Sequence, residues 1–318
     1  MTPLISILIP CYNAEPWIAE TLESALGQTW PNKEIIVVDD GSSDGSFSIL
    51  ERFCSRGIKV ISQENQGAST ARNRALREAR GDYIQFLDAD DLLAPNKIEI
   101  QLKRLAQGSA LRVASGSWGR FYDEPKNTRF LPESVWVDLD PVDWICSSWS
   151  GGGMMVTHSW LTPRGIIENA GDWNEARSPV DDGEFFTRVV LNSEAVLFCP
   201  EARSYYRSGI PKSWSARRTP EMIRAVYGSI EACTGHLLAV ENSNRTRAAC
   251  ASLFQRFIYD TYPQLPDLLT EAEDRVKALG GSNHEQPGGG IVFRLLAESL
   301  GWKAARRIQL AKQRMRFS

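Results

Sequence analysis

Histidine is scarce in this chain, with three residues in 318. Its six cysteines form no CxxC pair, and their spacing is irregular. These shortages argue against a structural zinc site, which needs closely spaced thiolate and imidazole ligands. They argue equally against a disulfide framework, so the cysteines are expected to be free and mostly buried, as in a reducing cytosol. An excess of one charge is lacking too. The formal net charge is -3, which offers no basic footprint for nucleic acid. No stretch reaches the roughly 18 apolar residues that a membrane span requires. The first apolar run, Leu4 to Ile9, has no basic lead and is too short for a secretory signal. What is present is ordinary globular composition, 42% hydrophobic and 24% charged. The length permits one large domain or a main domain with a helical appendage.

Short apolar runs alternate with helical patterns through the first third of the chain. Leu4 to Ile9, Glu34 to Val38, Lys59 to Ser62 and Tyr83 to Leu87 read as buried strands. Between them, Pro16 opens a helix carrying Ile18, Leu22, Ala25 and Leu26 on one face. Ala71, Ala75, Leu76 and Ala79 give a second helix, and Pro95 opens a third with Ile98, Leu102 and Leu105. This order predicts an α/β fold with a mostly parallel central sheet flanked by helices. Ligands on such sheets sit beyond the carboxyl ends of the strands. Later pieces are shorter, with strand-like runs at Arg112 to Ser115, Met154 to Thr157, Ala195 to Phe198 and Arg203 to Tyr206. Residues 220 to 280 turn helical, and after a Gly/Ser/Pro-rich break at Gly280 to Gly290 a last helical segment begins near Ile291.

Polar clusters fall at the strand ends. Pro10-Cys11-Tyr12-Asn13 follows the first, Asp39-Asp40 the second, and Asp88-Ala89-Asp90-Asp91 the fourth. Two aspartates one residue apart at a strand end can hold a hard cation such as Mg²⁺ or Mn²⁺. A plainer reading makes the same run a polar turn, with Asp91 capping the next helix. Asp40 can accept from a nucleobase N–H while Tyr12 stacks on the base, or both can serve a turn. Gln66-Gly67-Ala68-Ser69-Thr70-Ala71-Arg72-Asn73 opens a helix with small residues, which suits close approach of an anionic ligand. Arg72 could then touch a phosphate and Asn73 a loop carbonyl. No GxGxxG turn follows the first strand and no GxxxxGK[ST] loop occurs, so neither a dinucleotide-binding dehydrogenase nor a P-loop enzyme fits.

Taken in order and spacing, SILIPCYNAE (6 to 15), VVDDGSSDGS (37 to 46), NQGASTARNRAL (65 to 76) and GDYIQFLDADD (81 to 91) resemble the inverting family 2 glycosyltransferases of the GT-A, Rossmann-like fold. The resemblance is specific over residues 3 to 107 and returns at 167 to 215. There Asn169 to Glu175 looks like the family's GGFDE-type turn, and Asp181-Asp182-Gly183-Glu184 like its ED-x-E segment. Tyr205-Tyr206-Arg207, with Ser213 and Ser215, looks like its YR-x(n)-S-x-S stretch.

The resemblance implies a nucleotide-sugar-binding half at 1–107, an acceptor half bearing the base at 108–218, and a helical C-terminal region at 219–318. Pro10, Tyr12, Asn13, Asp40, Gly67, Arg72, Asp88, Ala89 and Arg207 would line the donor, with UDP the preferred nucleotide. Asp90, with Asp88 alongside, would hold Mn²⁺ or Mg²⁺. Asp182 would be the base, with Asp181 the other candidate because it stands where the family commonly has Glu. The histidine that often follows YR is missing, since Ser208, Gly209, Ile210 and Pro211 occupy that stretch. The implied reaction moves a sugar from a nucleotide diphosphate sugar to a hydroxyl on a glycan or lipid-linked acceptor, in the making of cell-surface polysaccharide, glycolipid or glycoconjugate. A sugar-nucleotide-binding protein without turnover and a nucleotidyltransferase are the alternatives. The latter normally opens with a Gly-rich basic loop, which this chain lacks.

The last segment, from Ile291, carries Arg294, Lys303, Arg306, Arg307, Lys312, Arg314 and Arg316 against one acid, Glu298. Phe293, Leu296, Leu300, Ala304 and Ile308 can share an apolar face. Such a helix can lie on an anionic membrane, or simply pack with a solvated basic side. The expectation is a cytoplasmic protein held peripherally at the inner face of the cell membrane. Trp118, Trp136, Trp144, Trp149, Trp160 and Trp173 fall in the acceptor half and read mostly as core or lid residues.

Overall fold

The structure is a computed structural model that describes residues 2–176, 178–210, 219–282 and 290–314. Its first strand, β1 (Ile5–Cys11), is buried at every position. Continuous apolar character is what a parallel strand covered on both faces requires. Around it come α1 (Ile18–Leu26), β2 (Lys33–Asp39), α2 (Ser46–Cys54), β3 (Ile58–Ser62), α3 (Ala68–Glu78), β4 (Tyr83–Phe86), β5 (Leu92–Leu93) and α4 (Lys97–Leu105). There follow β6 (Arg112–Phe121), α5 (Pro141–Ser147), β7 (Thr162–Pro163), α6 (Arg164–Ala170), α7 (Asp181–Leu191) and β8 (Ala195–Arg207).

The main sheet has the order β3-β2-β1-β4-β7, with only β7 antiparallel. Ile5, Ile7 and Ile9 pack with Ile35 and Val37 against Ile18, Leu22, Ala25 and Leu50 from α1 and α2. The fully buried Ala71 and Ala75 let α3 lie close on β1 and β2. Each large aliphatic side chain buried here contributes about 1.5–3 kcal/mol. Leu22→Ala would leave a cavity costing about 2–5 kcal/mol.

A second sheet, β5-β8-β6, pairs β6 with β8 in parallel and β5 with β8 antiparallel. The sequence suggested two separate pieces at Ala195 to Phe198 and Arg203 to Tyr206, but they form one strand. Pro200 is tolerated because a register shift between Gly116 and Trp118 interrupts the ladder opposite it. A side chain at Gly116 would collide with the Ala202 carbonyl, so this crossing needs glycine. Met154 to Thr157 is not a strand. Its backbone groups go to side chains instead: Met154 N–H donates to Glu133 (3.0 Å) and Met154 O accepts from Trp118 Nε1 (3.0 Å).

A second compact unit comprises residues 149–151 and 218–318, the first being 1–148 and 152–217. Its helices are α8 (Pro220–Val240), α9 (Asn244–Thr261), α10 (Pro266–Ala278), α11 (Ile291–Leu300) and α12 (Trp302–Arg314). Their starts follow the local sequence. Thr219 accepts from Met222 N–H ahead of Pro220, and Ser243 and Thr246 form a reciprocal cap. Tyr227 packs on Phe254 and Phe257, and Trp302 on Tyr259 and Tyr262.

The last segment is two helices rather than one, because Gly301 adopts φ +80°. The expected continuous apolar face is therefore broken. Phe293 is buried, whereas Leu300 is 61% exposed. Ser213, Ser215, Pro211 and Arg316 lie outside the described residues. No helix among the described residues is long and apolar enough to cross a membrane. The six cysteines form no disulfide; Cys11, Cys199, Cys233 and Cys250 are buried, Cys146 is half-buried and Cys54 is exposed.

Candidate active site

The carboxyl ends of β1, β2 and β4 open onto one rim, and their loops are tied to each other by side chains. After β1, Asn13 turns with φ +49° and its Oδ1 accepts from Ser43 N–H (2.8 Å), while its own N–H donates to Ser42 Oγ (3.0 Å). Ala14 N–H donates to Ser46 Oγ (2.8 Å), and Glu15 accepts from Gly45 N–H (2.8 Å). Tyr12 stands out from this knot, 52% exposed, with its ring available for stacking. Pro10 stays inside β1, opposite Val38.

Asp40 is 2% exposed and clasps the start of α3. Its Oδ1 accepts from Gln63 Nε2 (2.8 Å) and Gln66 N–H (2.9 Å), and its Oδ2 from Gly67 N–H (2.7 Å). A carboxylate offers about four acceptor sites, so one remains on Oδ2. Gly67 adopts φ +100°, which a side chain would strain. The Cys11 thiol below the rim is pushed up to about 12 by burial and then by Asp39, so it is inert.

Arg72 was expected to face a phosphate. Instead its guanidinium joins two acids: Nη2 meets Asp88 Oδ1 at 2.7 Å and Nη1 meets Asp181 Oδ2 at 2.9 Å. Its plane lies over Trp173, 4.4 Å from the ring centroid. Trp173 is stacked in turn on Phe185 with centroids 4.0 Å apart, so the arginine is packed from below. Asn73 fixes that tryptophan by its backbone, accepting from Trp173 N–H (2.8 Å) and donating to Trp173 O (2.9 Å). The loop-carbonyl role read from the sequence is thus what the side chain performs.

Asp181 and Asp182 open α7. Asp181 has both oxygens engaged: Oδ2 takes Ser69 Oγ (2.8 Å) and Arg72, and Oδ1 takes Asp182 N–H (2.9 Å). Asp182 Oδ1 accepts from Gly183 N–H (2.8 Å), and no other protein donor reaches the carboxylate among the described residues. Burial first, and then the charge of Asp181, raise its carboxyl to about 6, against the lowering pull of Arg72. Of the two aspartates, Asp182 has the freer oxygen and the pKa suited to proton transfer near neutral pH.

The Asp88 to Asp91 turn forms the other acid cluster. Ala89 is buried and its carbonyl accepts from Thr21 Oγ1 (2.9 Å). Asp91 is no helix cap. It is 1% exposed, its Oδ1 accepts from Arg207 N–H (2.7 Å), and its Oδ2 lies 3.0 Å from His158 Nδ1. Arg207, placed by position beside the donor, reaches Asp90 O through Nε (2.8 Å) and Glu20 through Nη2 (2.6 Å), over the face of Phe121. Desolvation, followed by the neighbouring acids, holds Asp90 well above the usual carboxylate range, and desolvation raises Asp91. Among the described residues, the ligand atoms that converge within 4.8 Å are those of Asp88, Asp91 and His158. A divalent cation fits at this turn, since its carboxylates crowd together, while His158 Nδ1 pairs with Asp91 Oδ2 behind them.

Sequence reading missed His158, Glu20 and Ser69 as members of this rim. Ser69 sat inside a motif already quoted. His158 and Glu20 carried no local signal, because their partners are far away in the chain.

A family model described as "Glycosyl transferase family 2" matches residues 6–155. A protein of Bacillus subtilis (strain 168), described as an uncharacterized glycosyltransferase, EpsJ, is 48% identical over 138 residues, which are 42% of this chain and 39% of that one. The chain spans between 18% and 56% of the length of such curated relatives. Among solved structures, TarS 1-349 of S. aureus in complex with UDP-GlcNAc superposes with a TM-score of 0.70 at 19% identity, covering 86% of this chain and 81% of that one. The mannosyltransferase PcManGT of Pyrobaculum calidifontis, in complex with GDP-Man and Mn²⁺, gives 0.55 at 17% identity, covering 100% and 81%. At such identities the likeness is one of fold.

Proposed function

From the match of residues 6–155 to the model described as "Glycosyl transferase family 2" we propose that the protein is an inverting glycosyltransferase of that family using a nucleotide diphosphate sugar. The observation that carries this reading is the Arg72 bridge, which sets Asp88 on one side and the Asp181–Asp182 pair on the other. One acid centre would serve the leaving diphosphate and the other the attacking hydroxyl. Asp182, raised to about 6, would take the acceptor's proton as its oxygen attacks the anomeric carbon. Such general-base help is worth about 10²- to 10⁴-fold in rate. Asp181, held by Ser69 and Arg72, would orient the start of α7.

On the donor side, Tyr12 would stack on the base and the remaining acceptor site of Asp40 would meet a base N–H, with uracil preferred. A divalent cation, Mn²⁺ or Mg²⁺, at the Asp88 to Asp91 turn would supply charge to stabilise the leaving diphosphate. Arg72 and Arg207 would hold that turn in shape beside the diphosphate.

The acceptor would be a hydroxyl on a glycan or a lipid-linked chain. Peripheral contact with a membrane is supported by Ile291, Leu295 and Leu300, exposed at 69%, 60% and 61% beside the basic Lys303, Arg307 and Lys312. Co-sedimentation with anionic vesicles should weaken in a Leu295→Asp, Leu300→Asp variant; equal binding would remove the membrane from the proposal.

The activity is tested by donor hydrolysis or transfer across a panel of nucleotide sugars with Mn²⁺, Mg²⁺ or EDTA. Turnover of one donor, falling by about 10²- to 10⁴-fold in Asp182→Asn, is expected. Nucleotide binding without turnover of any donor would favour a binding protein instead.

A further inference from the structure

Arg72, Arg207 and Arg188 are each spent on acids of the protein: Asp88 and Asp181, Glu20, and Glu184 respectively. Arg120 is different. It is exposed, and it forms no ion pair among the described residues. Of its guanidinium donors, a single one meets a protein acceptor among those residues, Nη1 at 3.1 Å from Ser208 Oγ. The rest are left to a ligand. The guanidinium is nonetheless held still. Its Cζ lies 4.8 Å from the Tyr206 ring centroid and 5.4 Å from that of Trp118. The two rings meet edge to face, with centroids 6.1 Å apart. Trp118 is fixed by its Nε1, which donates to Met154 O (3.0 Å), and Ser208 by its N–H, which donates to Phe121 O (2.9 Å). An arginine side chain carries about 2 kcal/mol of rotamer entropy. Here much of that ordering is complete before a ligand arrives.

Strand register puts this shelf close to the acid rim. Arg120 lies opposite Tyr206, the residue before Arg207, whose N–H holds Asp91. Burial and then Asp91 raise the Tyr206 hydroxyl above the usual tyrosine range, against the lowering pull of Arg120, so that hydroxyl feels both the acid turn and the guanidinium. The acid turn runs directly into β5, and β8 stands between β5 and β6. Arg120, on β6, is therefore two strand spacings, about 10 Å, from the strand that follows the turn. It belongs to the half of the domain read as serving the acceptor. A donor diphosphate seated at the turn would leave Arg120 unserved. An acid group a few bonds from the acceptor hydroxyl would meet it.

We propose that Arg120, shelved on Trp118 and Tyr206, is the seat for a phosphate or carboxylate carried by the acceptor, so that acidic acceptors are chosen over neutral ones. That the ligand is an acceptor rests on the transferase reading; the seat itself can be probed without turnover. A guanidinium fork matches either anion through paired hydrogen bonds. A lysine here would keep the charge but neither the fork nor the stacking on the rings.

The experiment is phenylglyoxal labelling of the full chain, with the rate at Arg120 read by peptide mass against that at Arg52, exposed on α2. The anionic probes are glycerol 3-phosphate and glucuronate, and glycerol and glucose are their neutral counterparts. UDP with Mn²⁺ is the donor-side probe, and sodium chloride matches the ionic strength. Glycerol 3-phosphate, glucuronate or both should slow labelling of Arg120 at least about tenfold, with UDP present as well as absent, while Arg52 keeps its rate. The stronger protector names the group. Protection by UDP alone would make Arg120 a donor contact and overturn the proposal. Equal protection by sodium chloride, or none by any probe, would leave a surface cation only and overturn it too, as would an Arg120 that does not react in the free protein. Transfer gives a second measurement: Arg120→Gln should raise KM about tenfold or more for an acidic acceptor and much less for its neutral counterpart, and equal rises would overturn the selection. The labelling needs no turnover, so its failure leaves the transferase reading standing, and a chain that turned over no donor would still show the seat.

Discussion

The main-chain N–H of Asp182 donates to the side chain of Asp181, 2.9 Å away. The first acid of the pair is thereby spent on holding the second, and only the second retains a carboxylate oxygen free of such duties. Asp182→Asn should lower turnover by about 10²- to 10⁴-fold with little change in donor affinity. Asp181→Asn should instead loosen the Arg72 contact and lower both. For the native protein, kcat/KM should rise with pH and level off above about 6, the raised value at Asp182. A flat profile between pH 5 and pH 8 would remove Asp182 from the role of base.

The same raised carboxyl has a consequence for stability. The folded state holds the Asp182 proton more tightly than the unfolded chain, whose carboxyl sits at the ordinary 3.8. Stability from this group therefore falls as pH rises from about 4 to about 6, and the penalty stays constant above that. Asp182→Asn removes the charge, so it should unfold at higher urea than the native protein at pH 7.5. The two should converge near pH 4. An inactive but stabilised variant would separate the functional cost of this residue from any structural benefit.

Arg72→Met would leave Asp88 and Asp181 without their shared cation. Removing one partner from a buried ionic cluster costs about 3–5 kcal/mol, read as a lowered urea midpoint. Arg72 also pulls the Asp182 carboxyl down. In any folded fraction, the pH at which activity rises should therefore move above about 6.

Asn73→Ala strands both the N–H and the carbonyl of Trp173, at about 1–3 kcal/mol for each group left buried and unpaired. Asn73→Asp keeps the acceptor for the N–H but sets a carboxylate against Trp173 O and Glu175 Oε1, which Nδ2 serves at 2.9 and 3.0 Å, so at pH 7 its urea midpoint should be no higher than that of Asn73→Ala. A midpoint for Asp near the native one would mean that the bond accepted from Trp173 N–H alone matters.

Lys97 is fully buried beside Gln85 and Trp160, and desolvation holds its ammonium well below the usual lysine range. The unfolded chain holds this proton up to the ordinary 10.5, and the folded chain gives it up at a lower pH. Stability from Lys97 should therefore rise with pH between that lowered value and 10.5. Lys97→Met should remove that slope whatever it does to absolute stability, as urea midpoints at pH 7 and pH 9.5 would show.

The strands of the main sheet were legible because each pairs an uninterrupted apolar run with a polar cluster at its end, as at Val37-Val38-Asp39-Asp40. The second sheet was harder to read. β8 contains Pro200, and its partners Gly116 and Trp118 lie far back in the chain. Arg72 was read as a phosphate contact because nothing local shows that Asp181, 109 residues on, will occupy it. His158 was invisible for a related reason. It sits alone in the largely apolar stretch Met154 to Leu161, and its meaning lies in Asp91 on the other side of the rim. Periodicity reveals which face a residue takes, but not which distant side chain it will meet.

Asp40 clasps Gln66 and Gly67 from one side of the rim while Asn13 clasps Ser43 from the other. Three segments of the chain thus form one rigid frame before any ligand arrives, and a donor need not spend binding energy on ordering them. The same knot limits how the protein can be altered. A loop exchanged at Tyr12 to Glu15 alone, with Ser42 to Ser46 and Gln63 to Gly67 left native, would break the frame while every strand beneath it still paired. Changes in donor preference should therefore be engineered, and should have arisen, by altering the three segments together.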